Sequence, residues 1–364
     1  MDYVPAHLKG MNRRVVYEAL ANVGRISRAE LARMTGISAP TIGKIISFFV
    51  ASGIASEIGE GVSEMGRKPK LLRFNNESYF TVGVEFEGDS LKVGVIDLLG
   101  NIKTVRQMPA KSSFDDVMQS ELLPAIRSTL RDARLPLSRI WGVGIGIPGV
   151  VNVERRTIST APLIGVTEER PYRGAIERLE RQLKLPVFVE NDANASAIGE
   201  YHLRREQGEV DLIYLSVGTG VGGGIILDGR LRKGMRFSAG EVGYMIFDKT
   251  SSSDASKIGW LEDRINHRAL LRNRSSAEFL QLAAQDLALV IANLAVVLDI
   301  DLFVVGGIGL SDYGDGFLPR IAEQVRRLSN FAIRIEPPLA REPGVIGAGA
   351  VVVDSILDDK MHDD

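Results

Sequence analysis

The stretch 212–232, LIYLSVGTGVGGGIILDGRLR, decides the fold of this chain. It places a glycine-dense turn between two β-rich runs and ends in a second, shorter turn. The stretch 81–103, TVGVEFEGDSLKVGVIDLLGNIK, has the same plan of strand, turn, strand and glycine-containing turn. Each copy is followed by a helical region and by further alternating β and α segments. This repeat predicts an internally duplicated α/β body whose two lobes enclose a ligand cleft.

The composition is typical of a protein with more than one globular unit. The chain has 364 residues, of which 45% are hydrophobic and 25% charged, so it can bury large cores. It has no cysteine, which excludes disulfides, iron–sulfur clusters, thiolate zinc sites and cysteine nucleophiles. No run approaches the roughly 18 consecutive apolar residues of a membrane helix, and the N-terminus does not resemble a signal peptide. We therefore expect a soluble, cytoplasmic protein, with the apolar helix at 278–298 in a core.

Charge divides the chain into a basic head and an acidic body. Residues 1–75 contain 11 basic and 6 acidic residues, a net charge of +5, whereas the remainder carries −7. Such a division is typical of a nucleic-acid-binding segment joined to a domain with another task.

The head has the sequence pattern of three short helices. Apolar residues at three-and-four spacing predict the first helix over 11–23. Ser27 and Glu30 form a capping box for a second helix that Gly36 ends, and Ser38 caps a third helix with Pro40 in its first turn. Two short helices joined by a glycine turn form a helix-turn-helix. The third helix is expected to bury an apolar stripe made of Ile42, Ile45, Ile46, Phe49 and Val50.

The outer face of the third helix and the segment after it indicate DNA binding. Small, hydroxylic and basic side chains let a helix approach base edges in a major groove. Residues 54–74 then form two short extended runs around a cationic turn, a wing that can contact the DNA backbone or the minor groove. The alternatives are a protein-interaction domain of the same shape and a solvated outer face without a partner. The candidate DNA-binding residues are Ser38, Ala39, Thr41, Lys44 and Ser47 on the helix and Arg67 and Lys68 in the wing.

Three motifs in the body can carry chemistry. The glycines at 218–224 expose backbone N–H groups that can cradle a phosphate, although a glycine-rich hairpin needs no ligand to form. Asn191 and Asp192 follow the strand at 187–189, where they can bind a polyhydroxyl ligand or take a proton from a hydroxyl. The alternative there is a capped helix start. Glu241 lies in the segment 239–244, about twenty residues before Glu262, and alone this segment could be an ordinary loop.

In combination these motifs resemble the ROK family, whose name joins repressors, open reading frames and sugar kinases. The resemblance covers nearly the whole chain. It implies an actin-like, ribonuclease-H-type fold with a sugar in the cleft and, in the kinase members, ATP beside it. It implies that Asp192 is the general base on a sugar hydroxyl and that Asn191, Glu241 and Glu262 hydrogen-bond the sugar. The motifs that carry it, in chain order, are the Gly66–Pro69 wing, Gly144–Gly149, Glu190–Asn194, Gly218–Gly220, Gly240–Gly243 and Gly306–Gly307.

One departure from the family pattern concerns catalysis. Family kinases have an Asp-x-Gly-Gly-Thr turn in the first hairpin, whereas this chain has Glu85-Phe86-Glu87-Gly88-Asp89. Glu87 and Asp89 would repel the phosphates of a nucleotide. We therefore predict that kinase activity is lost and that Asp192 and the phosphate turn Gly218-Thr219-Gly220 are vestiges of it.

A second departure concerns the zinc site of the family. Tyr244 stands in the place of the family histidine, and the chain has no cysteine to complete a site. The four histidines, at 7, 202, 267 and 362, have no ligand spacing. A sugar-contacting asparagine of the family is Leu163 here, so the pocket is more apolar and favours a deoxygenated, substituted or smaller polyol. We predict no metal and no cofactor, and we expect Leu163 and Tyr244 to contact the ligand.

The sequence thus predicts a DNA-binding transcriptional regulator, a repressor of carbohydrate-metabolism genes that binds a double-stranded operator as a homodimer or homotetramer. A winged helix-turn-helix is expected over 1–74, a first lobe over 75–193 with a C-terminal helix at 343–360, and a second lobe over 194–342. The expected mechanism is a population shift in which a carbohydrate effector closes the cleft and lowers operator affinity. Two alternatives remain, a ligand-independent regulator whose body is an oligomerisation scaffold and a sugar kinase with a DNA-binding head. The short segment at 75–79 predicts that the head is held against the body.

Overall fold

The computed structural model describes residues 5–60, 69–87, 90–111, 113–205, 208–248, 258–273 and 276–359. They form a small N-terminal head and a larger body built on two five-stranded sheets. The candidate wing residues Arg67 and Lys68 lie outside the described residues, and so does Asp89 of the first hairpin.

The head consists of three helices and a small antiparallel sheet. Gly36 ends the second helix with φ 68°, in the left-handed region that favours glycine. The predicted capping box is present, because Ser27 Oγ accepts a hydrogen bond from Glu30 N and the Glu30 carboxylate accepts one from Ser27 N. The helices are α1 (Pro5–Asn22), α2 (Arg28–Thr35) and α3 (Ala39–Ala51), and the strands, in the order β1-β3-β2, are β1 (Ile26–Ser27), β2 (Ala55–Glu60) and β3 (Lys70–Phe74).

The prediction that Ser38 caps α3 is wrong. Ser38 holds the N-cap position, with Pro40 in the first turn, but its side chain makes no capping hydrogen bond. Its hydroxyl instead pairs with Thr41 Oγ1 at 2.9 Å. Val50 is only partly buried, and the buried members of the predicted apolar stripe are Ile42, Ile45, Ile46 and Phe49.

The first half of the body is a mixed sheet with helices beside it. The strands of this sheet are β4 (Phe80–Glu87), β5 (Ser90–Asp97), β6 (Ile102–Pro109), β7 (Ile140–Ile147) and β11 (Val187–Asn191). Three short strands form a separate sheet, namely β8 (Val150–Asn152), β9 (Thr157–Ser159) and β10 (Arg170–Pro171). The helices are α4 (Phe114–Asp116), which continues through a π-helical turn into α5 (Leu122–Ala133), then α6 (Arg173–Leu183) and α7 (Asp192–Arg204).

The second half is a second mixed sheet. Its strands are β12 (Leu212–Val217), β13 (Val221–Leu227), β14 (Arg230–Leu231), β15 (Leu302–Gly306) and β16 (Arg334–Glu336). Its helices are α8 (Trp260–Ile265), α9 (His267–Arg272), α10 (Ala277–Leu298) and α11 (Phe317–Leu328). The chain then returns to the first half, where α12 (Pro343–Asp359) packs against β4, β7 and α7.

The two large sheets have the same topology. Their strand orders are β11-β7-β4-β5-β6 and β14-β13-β12-β15-β16, the second written in the opposite sense. In each sheet the first strand in sequence pairs antiparallel with the second and parallel with the fourth. The duplication predicted from the stretches 81–103 and 212–232 is therefore present in strand order and direction.

The head is held against the body, as the short segment at 75–79 predicts. Apolar residues of α1, α2, α3 and β3 share one buried core with residues of the body. The body supplies Leu98, Trp141, Val352, Val353, Ile356 and Leu357 to this core, and the last four belong to α12.

Among the described residues, α10 is the one helix whose length and apolar character would allow it to cross a membrane, with a mean hydropathy of 1.7. Half of this helix is buried, and its buried face packs in the core of the second half. Its other face leaves Val297 75% and Leu282 46% exposed. The prediction of a core helix is therefore correct for one face of α10 only.

Candidate functional site

A cleft of about 830 Å³, measured with its open mouth, lies between the two halves of the body. Its walls come from the junction of β11 and α7, the turn between β12 and β13, the segment 241–244 and the first turn of α8. Predicted site residues from separate parts of the chain meet here. They are Asn191, Asp192, Gly218, Thr219, Gly220, Glu241, Tyr244 and Glu262.

Asn191 and Asp192 lie where β11 ends and α7 begins. Asn191 is the N-cap of α7, and its Oδ1 accepts a hydrogen bond from Asn194 N at 2.9 Å. Its Nδ2 donates to Gly149 O and to Asp192 Oδ1, each at 3.0 Å. Asp192 Oδ1 also accepts a hydrogen bond from Ala193 N at 2.8 Å. The start of α7 is therefore both a capped helix end and part of the cleft wall. The sequence had left these two roles as alternatives.

Glu241 and Glu262 reach the cleft from two segments of the second half. Glu241 precedes a short 3-10 turn, and the residue before it, Gly240, has φ 90°. A Cβ atom at Gly240 would lie 1.8 Å from Gly223 O, so only glycine fits this close approach. Glu262 lies in α8, and its Oε2 accepts a hydrogen bond from Val221 N at 3.0 Å.

Burial raises the pKa values of the three carboxylates. The cleft walls shield Asp192 from water and raise its pKa to about 6, although hydrogen bonds from Ala193 N and Asn191 oppose the rise. Burial, followed by the charges of Asp192 and Glu262, raises the pKa of Glu241 to about 7. Burial also raises the pKa of Glu262. The cleft is therefore rich in hydrogen-bond acceptors, and no Lys, Arg or His is found among its described lining residues.

The glycine-rich turn uses its backbone N–H groups within the protein. Gly218 N donates to Gly220 O at 2.9 Å, and Val221 N donates to the carboxylate of Glu262. The Glu262 side chain therefore places a negative charge where a phosphate would need donors. Two backbone N–H groups at this turn, those of Gly218 and Val221, are therefore already paired within the protein.

One wall of the cleft is apolar. It is formed by Pro148, Ala161, Pro162 and Ile164. The backbone of Leu163 belongs to the 3-10 turn Pro162–Ile164, while its side chain lies outside the described residues. An apolar wall facing a row of acceptors suits a ligand with both C–H and O–H surfaces.

The structure does not describe the side chains of Glu87 and Asp89, the acidic residues predicted to disable a kinase. Glu87 ends β4, and its side chain is outside the described part of the structure. Glu85 is buried and faces a second cleft together with Lys92 and Gly307. Lys92 Nζ lies 2.8 Å from Glu342 Oε2 and 3.9 Å from Glu85 Oε2. The roles assigned to Glu87 and Asp89 stay predictions.

Three polar contributors to the cleft were not predicted. Gly149 accepts a hydrogen bond from Asn191 through its carbonyl, and Thr160 and Ser216 also line the walls. Ser216 stands next to last in β12, directly before the glycine turn, and this position was the signal available in the sequence. Gly149 ends the glycine-containing motif 144–149, whereas Thr160 has no such signal, because an irregular loop leaves no pattern of residue types.

The structure gives no indication of a metal site in the part of the chain that it describes. No group of three or more His, Cys, Asp or Glu side chains is arranged there to hold a metal ion. Most of the segment that replaces the family's zinc ligands, 249–257, lies outside the described residues. The carboxylates of the cleft are therefore best described as hydrogen-bond acceptors.

The candidate DNA-binding residues of α3 share one face. Ser38, Ala39, Lys44 and Ser47 are exposed, and Thr41 is partly exposed. This face is opposite the buried stripe that packs on the core of the head.

Comparisons with known proteins identify the family. The ROK family model matches residues 81–354. The chain is 31% identical over 267 residues to a xylose repressor of Caldicellulosiruptor bescii, an alignment that covers 72% of this chain and 66% of that protein. It is 33% identical over 288 residues to a glucokinase of Streptomyces coelicolor, covering 68% of this chain and 87% of that protein.

A solved structure of a ROK family transcriptional regulator, a homolog of the E. coli MLC protein, has the same fold. It covers 97% of both chains with a TM-score of 0.78 and 22% sequence identity. The matched region 81–354 is more than half of this chain, and it contains the cleft with all its acidic residues. This chain belongs to the ROK family.

Proposed function

We propose that the protein is a sugar-responsive transcriptional repressor. Its head binds double-stranded DNA, its cleft binds a neutral carbohydrate, and occupancy of the cleft lowers the affinity for DNA. The observation that carries the proposal is the convergence of Asn191, Asp192, Glu241 and Glu262 on one cleft in a chain that also has a head with an exposed helix α3. We propose that it acts in the cytoplasm as a homodimer or homotetramer.

The chemistry of the cleft favours a neutral polyol as the effector. Three carboxylates can each accept further hydrogen bonds, and the hydroxyl groups of a sugar supply several donors at once. Each hydrogen bond to a charged group contributes about 1.5–3 kcal/mol. An acidic or phosphorylated sugar would meet like charge from Asp192, Glu241 and Glu262, with no cation in the described lining to offset it.

The geometry of the head favours DNA as the partner. We interpret α2 and α3 as a helix-turn-helix, with β2 and β3 as the base of a wing that carries Arg67 and Lys68. The exposed face of α3 would enter a major groove, where Thr41 and Lys44 donate hydrogen bonds to base edges or phosphates. The similarity to a xylose repressor supports this role.

Fluorescence anisotropy tests the proposal directly. The labelled DNA is a fragment from immediately upstream of the protein's own gene, and the added compounds are D-xylose, D-glucose and D-glucose 6-phosphate. We expect tight binding to DNA, release by a neutral sugar and no release by the phosphorylated one. The Lys44→Ala variant should bind DNA more weakly, with a slope of log affinity against log salt smaller by about 1. The exposed ion-pair variant Arg327→Ala on α11 serves as its control.

Two results would contradict the proposal. Absence of DNA binding would remove the repressor function altogether. Tight DNA binding that is indifferent to every sugar, with no rise in melting temperature on sugar addition, would indicate a body that serves only as a scaffold.

Sugar phosphorylation is the second candidate function, because Asp192 keeps the position of a general base. Its pKa of about 6 and its fixed orientation suit the removal of a proton from a hydroxyl group. The occupied N–H groups of the glycine turn argue against transfer of a phosphoryl group. We expect no release of ADP from ATP with D-glucose or D-xylose above the level of the Asp192→Asn variant. Turnover that this substitution abolishes would establish a kinase.

A further inference from the structure

Helix α7 connects the cleft with the head. Its first residues, Asn191 and Asp192, lie in the cleft. Its 13 residues span about 20 Å, at about 1.5 Å per residue. At the other end Arg205 Nη1 lies 3.5 Å from Glu18 Oε1 of α1, the first helix of the head. One helix therefore has the candidate sugar ligands at one end and a contact with the head at the other.

Helices α7 and α12 are in direct backbone contact. A Cβ atom at Gly199 of α7 would lie 2.0 Å from Pro343 O, and a Cβ atom at Gly347 of α12 would lie 1.6 Å from Ala195 O. No side chain separates the helices at these points, so neither helix can shift alone without a clash or a gap. We call α7 and α12 together the helix pair.

Helix α1 of the head contacts the body largely through this helix pair. Arg14 Nη2 lies 3.1 Å from Asp358 Oδ2 and Arg14 Nε lies 3.3 Å from Asp354 Oδ1, both on α12. Arg13 Nη1 donates to Leu357 O of α12 at 2.7 Å. With the Arg205–Glu18 contact, charged groups of α1 therefore face both members of the helix pair.

The second half of the body also reaches the helix pair. Strand β13 lies against α7, where a Cβ atom at Gly224 would lie 2.4 Å from Ala197 Cβ and 2.6 Å from Ala193 O. A ligand that draws Glu241 and Glu262 towards Asp192 would therefore press on α7 from its far side.

We propose that the helix pair transmits sugar occupancy from the cleft to the head, and that Arg14 and Arg205 are the residues through which it holds and moves α1. This inference rests on the proposed function, because it explains how a sugar in the cleft changes the affinity for DNA. A sugar that binds one arrangement of the two halves more tightly shifts the helix pair, and the head follows. Removal of the two arginines leaves the apolar core between head and body intact, so the variant keeps its fold.

The test measures the sugar response of DNA binding, defined as the ratio of the DNA dissociation constants with and without saturating D-xylose. In the Arg14→Ala/Arg205→Ala variant we expect this ratio to fall by at least about fivefold, the scale of a modest coupling free energy. Its affinity for D-xylose, measured by calorimetry, should be unchanged because the cleft is about one helix length away. Arg327→Ala, which removes an exposed ion pair on α11, should leave the ratio at the wild-type value.

A reversible cross-link provides a rescue experiment. The chain has no cysteine, and a Cβ atom at Gly10 of α1 would lie 3.2 Å from Asp358 Cα of α12. Gly10→Cys with Asp358→Cys can therefore form a single disulfide between the head and the helix pair after a small adjustment. Added to the Arg14→Ala/Arg205→Ala variant, the oxidised cross-link should restore the sugar response, and dithiothreitol should remove it again.

The outcomes separate this inference from the proposed function. A wild-type sugar response that the arginine variant retains in full, or that the oxidised cross-link does not restore in that variant, would overturn the role of the helix pair while the repressor function stands. A wild-type protein that binds neither DNA nor D-xylose would overturn the proposed function, and the inference with it.

Discussion

The two large sheets of the body share strand order and direction, yet their first hairpins make different contacts. The turn of the β12–β13 hairpin lines the acidic cleft, and Val221 N at its end holds Glu262. The β4–β5 hairpin instead carries the buried Glu85 and the partly buried Lys92, and Lys92 contacts Glu342 just before α12. The two copies of the hairpin therefore differ in the groups that they contact, and on the proposed function only the β12–β13 copy meets the ligand.

Each hairpin contains a glycine that packs directly against a helix. A Cβ atom at Gly83 of β4 would lie 1.9 Å from Val345 O of α12, and one at Gly224 of β13 would lie 2.4 Å from Ala197 Cβ of α7. Each of the two sheets thus has one of the helices α12 and α7 in close contact with a glycine of its first hairpin. Both hairpins therefore make a close glycine–helix contact, which we attribute to the fold. The contacts of the two turns differ, and we attribute that difference to the proposed function.

The largest effect is expected for Gly83→Ala, which tests the shared arrangement. The new methyl group would meet a backbone carbonyl that cannot move without displacing α12, so we expect a loss of at least about 3 kcal/mol in the free energy of unfolding. Urea denaturation followed by circular dichroism measures it. Gly174→Ala on α6, where no atom lies within 4 Å of the new Cβ, is the control and should be neutral or stabilising. Equal stability of the two variants would show that the close contact at Gly83 does not contribute to the free energy of unfolding.

The second prediction tests whether the β4–β5 hairpin stabilises the fold. Lys92→Met removes the cation between the carboxylates of Glu85 and Glu342, and we expect a loss of about 2–4 kcal/mol in the free energy of unfolding. Sugar affinity of the folded variant should not change. Lys111→Met, which removes an exposed charge from the same half, should change stability by less than about 0.5 kcal/mol. A stable Lys92→Met protein with lost sugar binding would instead assign the first hairpin to the ligand site.

The sequence predicted the features that depend on local pattern. The repeat of the two hairpins, the Ser27–Glu30 capping box and the buried stripe of α3 follow from residue types at short spacing, and the structure contains each of them. The convergence of Asn191, Asp192, Glu241 and Glu262 on one cleft followed only from the family resemblance, because these residues come from different elements.

The rest depends on how distant elements are oriented. The hydrogen bond from Val221 N to Glu262 joins residues 41 positions apart. The contact of Arg205 with Glu18 joins the body to the head. Even the local prediction for Ser38 was wrong, since its hydroxyl found Thr41 Oγ1 as a competing partner.

A third prediction concerns Glu241 in the acidic cleft, which the turn of the β12–β13 hairpin also lines. Glu241→Gln should lower sugar affinity by about 10–100-fold, because it removes one charged acceptor from the cleft. The same change should raise the free energy of unfolding at pH 8 by about 1 kcal/mol, because it removes a charge that is costly to bury and that Asp192 and Glu262 repel. Calorimetry and denaturation measure the two quantities. Glu323→Gln, an exposed position of α11, should alter neither of them. Unchanged sugar affinity would remove Glu241 from the ligand site.

The smallest expected effect is a pH dependence of sugar affinity. It should arise from the carboxylates of the cleft and not from the β4–β5 hairpin. The pKa values of Glu241 and Asp192 are raised to about 7 and about 6, so both groups take up protons as the pH falls through this range. A protonated carboxyl is a poorer acceptor for a sugar hydroxyl, and sugar affinity should fall about tenfold per pH unit once a group is protonated.

Stability of the ligand-free protein should change in the opposite direction. Because folding raises the pKa of Glu241 from its ordinary value of 4.5, the folded state binds more protons than the unfolded state between about pH 4.5 and 7. The contribution of Glu241 to the free energy of unfolding therefore falls as the pH rises through this window. The difference between wild type and Glu241→Gln, measured by denaturation from pH 5 to pH 8, isolates this contribution. A difference that is constant over that range, together with a flat sugar affinity, would show that the cleft carboxylates do not titrate near neutrality. The sugar affinity of Lys92→Met should show the wild-type pH dependence, since that side chain lies in the β4–β5 hairpin and does not line the cleft.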